Sequence, residues 1–281
     1  MPKRQLRDIL QLLNQVVCIT GAASGIGRVT ARMLVRLGAL VSLADVNKTA
    51  LDAMVDELQQ EGVSGGDEER KPPLATALDV RSQEACTAWI DATVSHFGGK
   101  PIAAAANLAG VISPSIGLER GTIRNVSDAD FDWVIDVNLK GTLNCLRAEL
   151  PRMLVGKNGR GGGSIVNAAS IAAIMGVERN GPYVAAKHAV AGLTRTVAKE
   201  EGPNAIRVNA IAPGIIATPM MTQIETTAGT TELFGEGRGD PGALARKGDA
   251  EEVARLICFL LGSESSFVNG TVIPVDGGWM C

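Results

Sequence analysis

Aromatic side chains are scarce in this chain: they make up 3% of 281 residues, with a single tyrosine, Tyr183. Positive charge is not in excess either, since 27 Lys and Arg stand against 30 Asp and Glu for a net charge of -3. With no basic cluster and no interleaved aromatics, a nucleic-acid surface and an anionic-membrane patch are excluded as expectations. The five cysteines, Cys18, Cys86, Cys145, Cys258 and Cys281, show no C-x-x-C spacing. That removes a disulfide frame and a zinc site, so no metal is expected, and it leaves free thiols suited to a reducing, cytoplasmic compartment. The two histidines, His96 and His188, lie outside any G-x-S-x-G context, which sets aside a hydrolytic triad. No apolar run reaches the roughly 18 residues needed to span a bilayer. Met1 to Asn14 is basic and amphipathic but lacks an apolar segment followed by a small-residue cleavage site, and reads as an N-terminal extension.

What is present is the balance of a soluble α/β protein, 46% hydrophobic and 20% charged. Short β-branched runs alternate with helical patterns, predicting a doubly wound, seven-stranded parallel sheet with helices on both faces, one domain over 15–281. Strands are predicted at Val16–Thr20, Leu40–Ala44, Leu74–Leu78, Ile102–Ala106, Ser164–Asn167, Ile206–Ile211 and Thr271–Val275. Helical periodicity spans Gly25–Leu37, Lys48–Gln60, Ser82–Phe97, Asp128–Leu154, Pro182–Glu201 and Ala250–Leu261. Pro182 suits a first-turn position. Connections at Gly62–Pro73 and Gly156–Gly163 are rich in Gly and charge. The stretch 214–248 is too long for an ordinary connection, and Ile215, Met220, Met221, Ile224, Leu233 and Phe234 suit a lid over an apolar ligand.

Two patterns carry chemistry. Directly after the first strand, Thr20-Gly21-Ala22-Ala23-Ser24-Gly25-Ile26-Gly27 runs into a helix, a strand–turn–helix geometry that brings backbone N–H groups and a positive dipole end to a pyrophosphate. Asp45 ends the second strand where a carboxylate can accept from an adenosine ribose and repel a 2′-phosphate, which favours NAD over NADP; Arg28 and Lys48 lie near enough in sequence to complicate that preference. The second pattern is Tyr183 four residues before Lys187, one turn apart on one helix face. A free phenol titrates near 10, and bringing it to about 7 requires roughly 4 kcal/mol of differential stabilisation, to which the Lys187 ammonium is expected to contribute. Ser170 lies just past the carboxyl end of the fifth strand, on the ligand-binding edge of such sheets. Asn138 falls on the inward stripe of its helix and needs buried partners.

These residues resemble, in order and spacing, the short-chain dehydrogenases/reductases of about 250 residues, and the resemblance runs from Val16 to the end. Thr20 to Gly27 is similar to T-G-x-x-x-G-x-G, Asp79-Val80 to the D-V pair near the adenine ring, Asn107 to Gly110 to N-N-A-G, and Tyr183 with Lys187 to Y-x-x-x-K; Asn138, Ser170, Pro213-Gly214 and Thr218 complete the set. The resemblance implies Ser170, Tyr183, Lys187 and Asn138 as catalytic residues, the last holding a water in a proton relay. It implies cofactor contacts at Gly21, Ser24, Gly25, Ile26, Gly27, Asp45, Asp79, Val80, Asn107, Tyr183, Lys187, Ile216 and Thr218. Leu108 replaces the second Asn of N-N-A-G, which predicts a repacked sheet centre with the cofactor contact at Asn107 retained. The implied reaction interconverts a secondary alcohol and a ketone with NAD. Local wording at Asn107–Gly110 and Val166–Ala173 is similar to dehydrogenases of fungal natural-product pathways, so an apolar intermediate of specialised metabolism is the expected substrate. The alternatives are an NADPH-dependent ketoreductase and a non-catalytic dinucleotide-binding module. A homodimer or homotetramer is also implied, with Ala185, Ala186, Ala189 and Gly192 as the small residues allowing helix packing between subunits.

Overall fold

The computed structural model describes residues 12–60, 71–229 and 242–281; most of the N-terminal extension, the 61–70 part of the first connection, and Leu233 and Phe234 of the long stretch lie outside them. Seven parallel strands form the sheet: β1 (Val16–Thr20), β2 (Leu40–Asp45), β3 (Leu74–Ala77), β4 (Ile102–Asn107), β5 (Ser164–Ala168), β6 (Arg207–Pro213) and β9 (Val272–Val275). Their order is β3-β2-β1-β4-β5-β6-β9. A separate two-stranded ribbon pairs β7 (Ile216–Ala217) with β8 (Gly248–Asp249). Eight α-helices are described: α1 (Gly25–Arg36), α2 (Lys48–Gln60), α3 (Gln83–His96), α4 (Asp128–Ile135), α5 (Gly141–Glu149), α6 (Gly181–Glu200), α7 (Pro219–Ala228) and α8 (Ala250–Leu261).

The two-residue period of the strands splits the core into two layers. Val17 and Ile19 of β1, with Val41 and Leu43 of β2, meet Leu34 of α1, Leu51 and Met54 of α2, and Val253 and Ile257 of α8. Val16 and Cys18 point the other way, onto Trp89 and Ile90 of α3, Leu146 of α5 and Val197 of α6. A central strand hydrophobic on both faces is what a doubly covered parallel sheet demands. Ser42 lies inside the second layer with its hydroxyl paired: Trp89 Nε1 donates to Ser42 Oγ at 2.9 Å, and the Ser42 and Thr93 hydroxyls lie 2.7 Å apart.

Each predicted strand is present with ends shifted by at most two residues. The prediction of one helix over Asp128–Leu154 is corrected. After α4 comes a π-helical turn at Asp136–Lys140, then α5, then a 3₁₀ turn at Leu150–Arg152 that contains Pro151. The wide turn is fixed by tertiary contacts, since Asn138 inside it exchanges two hydrogen bonds with the main chain of Val111. No proline falls between Asp128 and Leu150, so the sequence carries no strong break signal before Pro151.

Candidate active site

Between β1 and β4 the strand order reverses direction, and a cleft of about 540 Å³ opens at the carboxyl ends of the strands there. Its floor is the turn from β1 into α1. Gly21 has φ +67°, and a Cβ on it would lie 2.9 Å from the main chain of Leu108 and Ala109. A Cβ on Gly27 would lie 2.1 Å from the Gly21 carbonyl oxygen. The turn therefore excludes side chains and brings bare backbone to the cleft. Ser24 precedes α1 without a side-chain hydrogen bond to it, so the helix start is uncapped where Ser24, Gly25, Ile26 and Gly27 line the cleft.

Asp45, half-buried at the end of β2, forms another wall. Its Oδ2 accepts from Ala23 N at 3.0 Å and its Oδ1 from Asn47 N at 2.9 Å. Those bonds fix the carboxylate and leave lone pairs for hydroxyl donors. Bare backbone at a helix start, a fixed carboxylate and apolar walls (Val80, Val137, Leu108) fit a dinucleotide. Asp79, Val80 and Thr218 also line the cleft, so most of the predicted cofactor positions are brought together.

Two residues missed in the sequence stand at the outer end. Arg81 holds Asp79 through Nη2 at 2.5 Å and Nε at 3.0 Å, which keeps the Asp79 carboxyl below the usual range. The Arg81 guanidinium also lies 4.9 Å from the centre of the Trp133 ring. Asn144 Nδ2 anchors this segment by donating to the carbonyls of Val80 and Arg81 at 2.9 and 3.0 Å. Neither Arg81 nor Trp133 belongs to a motif, and the only signal would have been the Arg two residues after Asp79.

The reactive side chains converge from β5 and α6. Ser170 follows β5 and starts a 3₁₀ turn, its Oγ accepting from Ala172 N at 3.2 Å. The same hydroxyl stands close enough to the Tyr183 phenol to lower its pKa. Lys187, 3% exposed, donates from Nζ to the Ala168 carbonyl at 2.8 Å and stands 5.4 Å from the centre of the Tyr183 ring. The expected lowering of the Tyr183 pKa is corrected: the phenol is partly open to solvent yet densely surrounded by protein, burial pushes its pKa up, and the nearby Ser170 hydroxyl pulls it back only in part. Burial also brings Lys187 down to about 8, so at neutral pH it still carries its proton.

Asn138 is fully buried, donating from Nδ2 to Val111 O at 2.8 Å and accepting from Val111 N at 3.0 Å. Its side-chain amide is thus spent on the main chain rather than left for a water, while its main-chain carbonyl accepts from Thr142 Oγ1 at 2.8 Å. Gly110 makes room for it, since a Cβ there would lie 2.7 Å from Asn138 Oδ1 and 3.5 Å from Lys187 Nζ. The Asn107 side chain lies in the sheet centre, bonded to Glu149 and Asn167, and does not line the cleft. Leu108 packs against the α1-side core, and its N–H and that of Ala109 donate to Thr20 Oγ1. Ile216 is likewise buried and off the cleft wall.

No helix among the described residues is long and apolar enough to cross a membrane, and no group of three His, Cys, Asp or Glu among them could hold a metal. Residues 21–280 match a family model described as enoyl-(acyl carrier protein) reductase. The chain is 42% identical over 268 residues to the short-chain dehydrogenase/reductase aba4 of Botryotinia fuckeliana (strain B05.10), covering 95% of this chain and 97% of that protein. It is 36% identical to the cyclohexanol dehydrogenase of Acinetobacter sp. (strain SE19), covering 95% of each. A crystal structure of levodione reductase superposes with a TM-score of 0.81 at 35% identity, covering 95% of this chain and 97% of that one. With the glycine turn, the uncapped helix and the Ser170–Tyr183–Lys187 cluster all inside the matched span, the chain belongs to the short-chain dehydrogenase/reductase family and is an oxidoreductase acting on CH–OH groups with a nicotinamide dinucleotide.

Proposed function

We propose that this enzyme is an NAD-dependent dehydrogenase of apolar secondary alcohols, with Tyr183 as its general acid/base. The observation that carries the reading is the convergence of the Ser170 hydroxyl and the buried Lys187 ammonium on Tyr183, with Lys187 Nζ 5.4 Å from the centre of its ring. When bound, the oxidised nicotinamide accepts hydride at C4 and adds positive charge to the site. In the oxidising direction the Tyr183 phenolate takes the proton of the substrate hydroxyl, while Ser170 donates a hydrogen bond to the same oxygen. Lys187 would hold the nicotinamide ribose and favour the phenolate. Asn138 clamps Val111 with its side chain, which leaves its main-chain carbonyl as the group that would hold a water on the route of the proton to solvent.

The preference for NAD rests on Asp45, whose fixed carboxylate would accept from ribose hydroxyls and repel a 2′-phosphate. Asp45→Ala is expected to shift the ratio of NAD to NADP dissociation constants toward NADP by about 10- to 100-fold, the worth of one or two charge-assisted hydrogen bonds. Titrating both dinucleotides by nicotinamide fluorescence checks it, and an unchanged ratio would show that Asp45 does not read the ribose. The ratio is the readout because Asp45 also holds Ala23 and Asn47, whose loss would weaken both cofactors alike.

For the substrate, the support is α7 in the long stretch 214–248, which carries Met220 to the cleft wall and Met221 into the core. The likeness to a cyclohexanol dehydrogenase favours a cyclic alcohol, and the local wording at Asn107–Gly110 and Val166–Ala173 favours an intermediate of specialised metabolism. A panel of secondary alcohols with NAD, followed by absorbance of the reduced nicotinamide, tests this. Turnover confined to sugars or acyl thioesters would overturn it. A homo-oligomer is also proposed, with Ala185 and Gly192 open on the outer face of α6; Ala186 is buried within the subunit and takes no part. A sizing column decides it.

A further inference from the structure

A chain of buried polar groups at the sheet centre is not used by the chemistry above. Glu149, the last residue of α5, is 0% exposed, and its Oε2 accepts from Asn107 Nδ2 at 3.1 Å. The same Nδ2 donates to Asn167 Oδ1 at 3.1 Å, Asn167 Nδ2 donates to Thr194 Oγ1 at 3.1 Å, and Thr194 Oγ1 donates to Val190 O at 2.9 Å. The chain thus links α5 to the carboxyl ends of β4 and β5 and on to α6. Two of its oxygens, Glu149 Oε1 and Asn107 Oδ1, are buried without a partner. Both belong to side chains already joined by one hydrogen bond.

An ionised carboxylate only accepts, so it leaves Asn107 Oδ1 unsatisfied and sets negative charge beside it. A carboxylic acid has one O–H to give. Acid and amide side by side exchange two hydrogen bonds in a ring, and one proton then satisfies both orphaned oxygens. We propose that Glu149 is held as the neutral acid and donates to Asn107 Oδ1, acting as a positioning residue that fixes the carboxyl ends of β4 and β5. Those ends carry the two halves of the site. Asn107 leads directly into Leu108–Gly110 of the cleft wall, and Asn167 into Ala168, whose carbonyl holds Lys187, and then Ser170.

The surroundings favour the acid. The titratable groups facing Glu149 are Cys18 from β1 and Cys145 from its own helix, with Cys86 of α3 against Cys145. Burial pushes Cys18 up, and the contact with Cys86 together with burial pushes Cys145 up, so both stay neutral. From β4, β5 and α6 come Asn107, Asn167 and Thr194, none of which ionises. Burial accordingly pushes the Glu149 carboxyl up to about 7, against the opposing hydrogen bond from Asn107. The folded pKa lies above that of the unfolded chain, so the stabilisation is complete below the ordinary Glu range and is lost as pH rises through about 7.

Glu149→Gln keeps the ring, with Nε2 donating where the acid did, but does not titrate. From about pH 5.5 to about pH 8.5 the Tm of the wild type should fall about 5 °C relative to the variant. Over the same span its dissociation constant for NAD should rise roughly tenfold relative to the variant. Carbon-13 NMR of carboxyl-labelled glutamate should show one resonance titrating near pH 7 in the wild type and none there in the variant. The NMR titration needs only the wild-type protein. Parallel curves for the two proteins in either the Tm or the NAD series, or no glutamate titrating above the ordinary range, would overturn the proposal.

Discussion

Tyr183→Phe should lower turnover at least about 100-fold, the usual worth of a general acid/base, while dinucleotide affinity stays close to that of the wild type. The substitution removes one oxygen and keeps the ring, so the contact with Lys187 and the packing of α6 persist. The Ser170 hydroxyl keeps the hydrogen bond from Ala172 N. Steady-state turnover with the best alcohol of the panel, paired with a fluorescence titration of NAD, separates chemistry from binding. Turnover near that of the wild type would refute the assignment, and loss of both together would point to a disturbed cleft. Because burial holds the phenol pKa up, the wild-type rate of alcohol oxidation should rise with pH as the phenolate becomes available, and that rise should be absent from the residual activity of Tyr183→Phe.

The second large effect is expected at Gly27. A methyl group there would press on main chain alone, at 2.1 Å from the Gly21 oxygen, 2.8 Å from the Gly21 carbonyl carbon and 3.2 Å from Ala22 Cα. None of these atoms can swing aside, so α1 and the turn must part. Gly27→Ala should raise the dissociation constants of NAD and NADP by at least about 100-fold, or about 2.7 kcal/mol, because the backbone surface that meets the pyrophosphate is displaced. Gly192, in the middle of α6 with nothing within 4 Å of an added Cβ, is the matched control. There alanine should leave dinucleotide binding untouched. Equal tolerance at both positions would contradict the packing of α1 against the turn.

The layout of the fold was legible in the sequence because strand and helix periods are local. Val16–Thr20 needs no partner to declare itself a doubly buried strand, and Lys48–Gln60 reads as a helix from its own stripe. The site was legible where a residue type is forced by backbone geometry, as at Gly21 and Gly27, or stands at a fixed helical offset, as do Tyr183 and Lys187. Features made by tertiary contact were not. Asn138 opens the π turn only because Val111 is opposite, Asn107 turns into the sheet because Glu149 and Asn167 wait there, and Arg81 lies on Trp133 from a distant helix. The Tyr183 pKa failed for the same reason, since a charge four residues away can be read from a sequence and desolvation cannot.

The strand order has a consequence for how the molecule comes to exist. Val16 pairs with Leu40 on one side and with Ile102 on the other, so β1 completes its second pairing only after two whole βαβ units have been synthesised and brought back. Every link in the seven-stranded sheet is parallel and bridged by a crossover, the arrangement in which chain-closure entropy is spent before contacts repay it, and refolding should be correspondingly slow. Asp45 comes from one flank of β1 and Gly110 from just beyond the other, so no early intermediate holding only the first pair of strands has a place for a dinucleotide. NAD should therefore leave the refolding rate unchanged and slow only unfolding, guarding a structure it has no part in building.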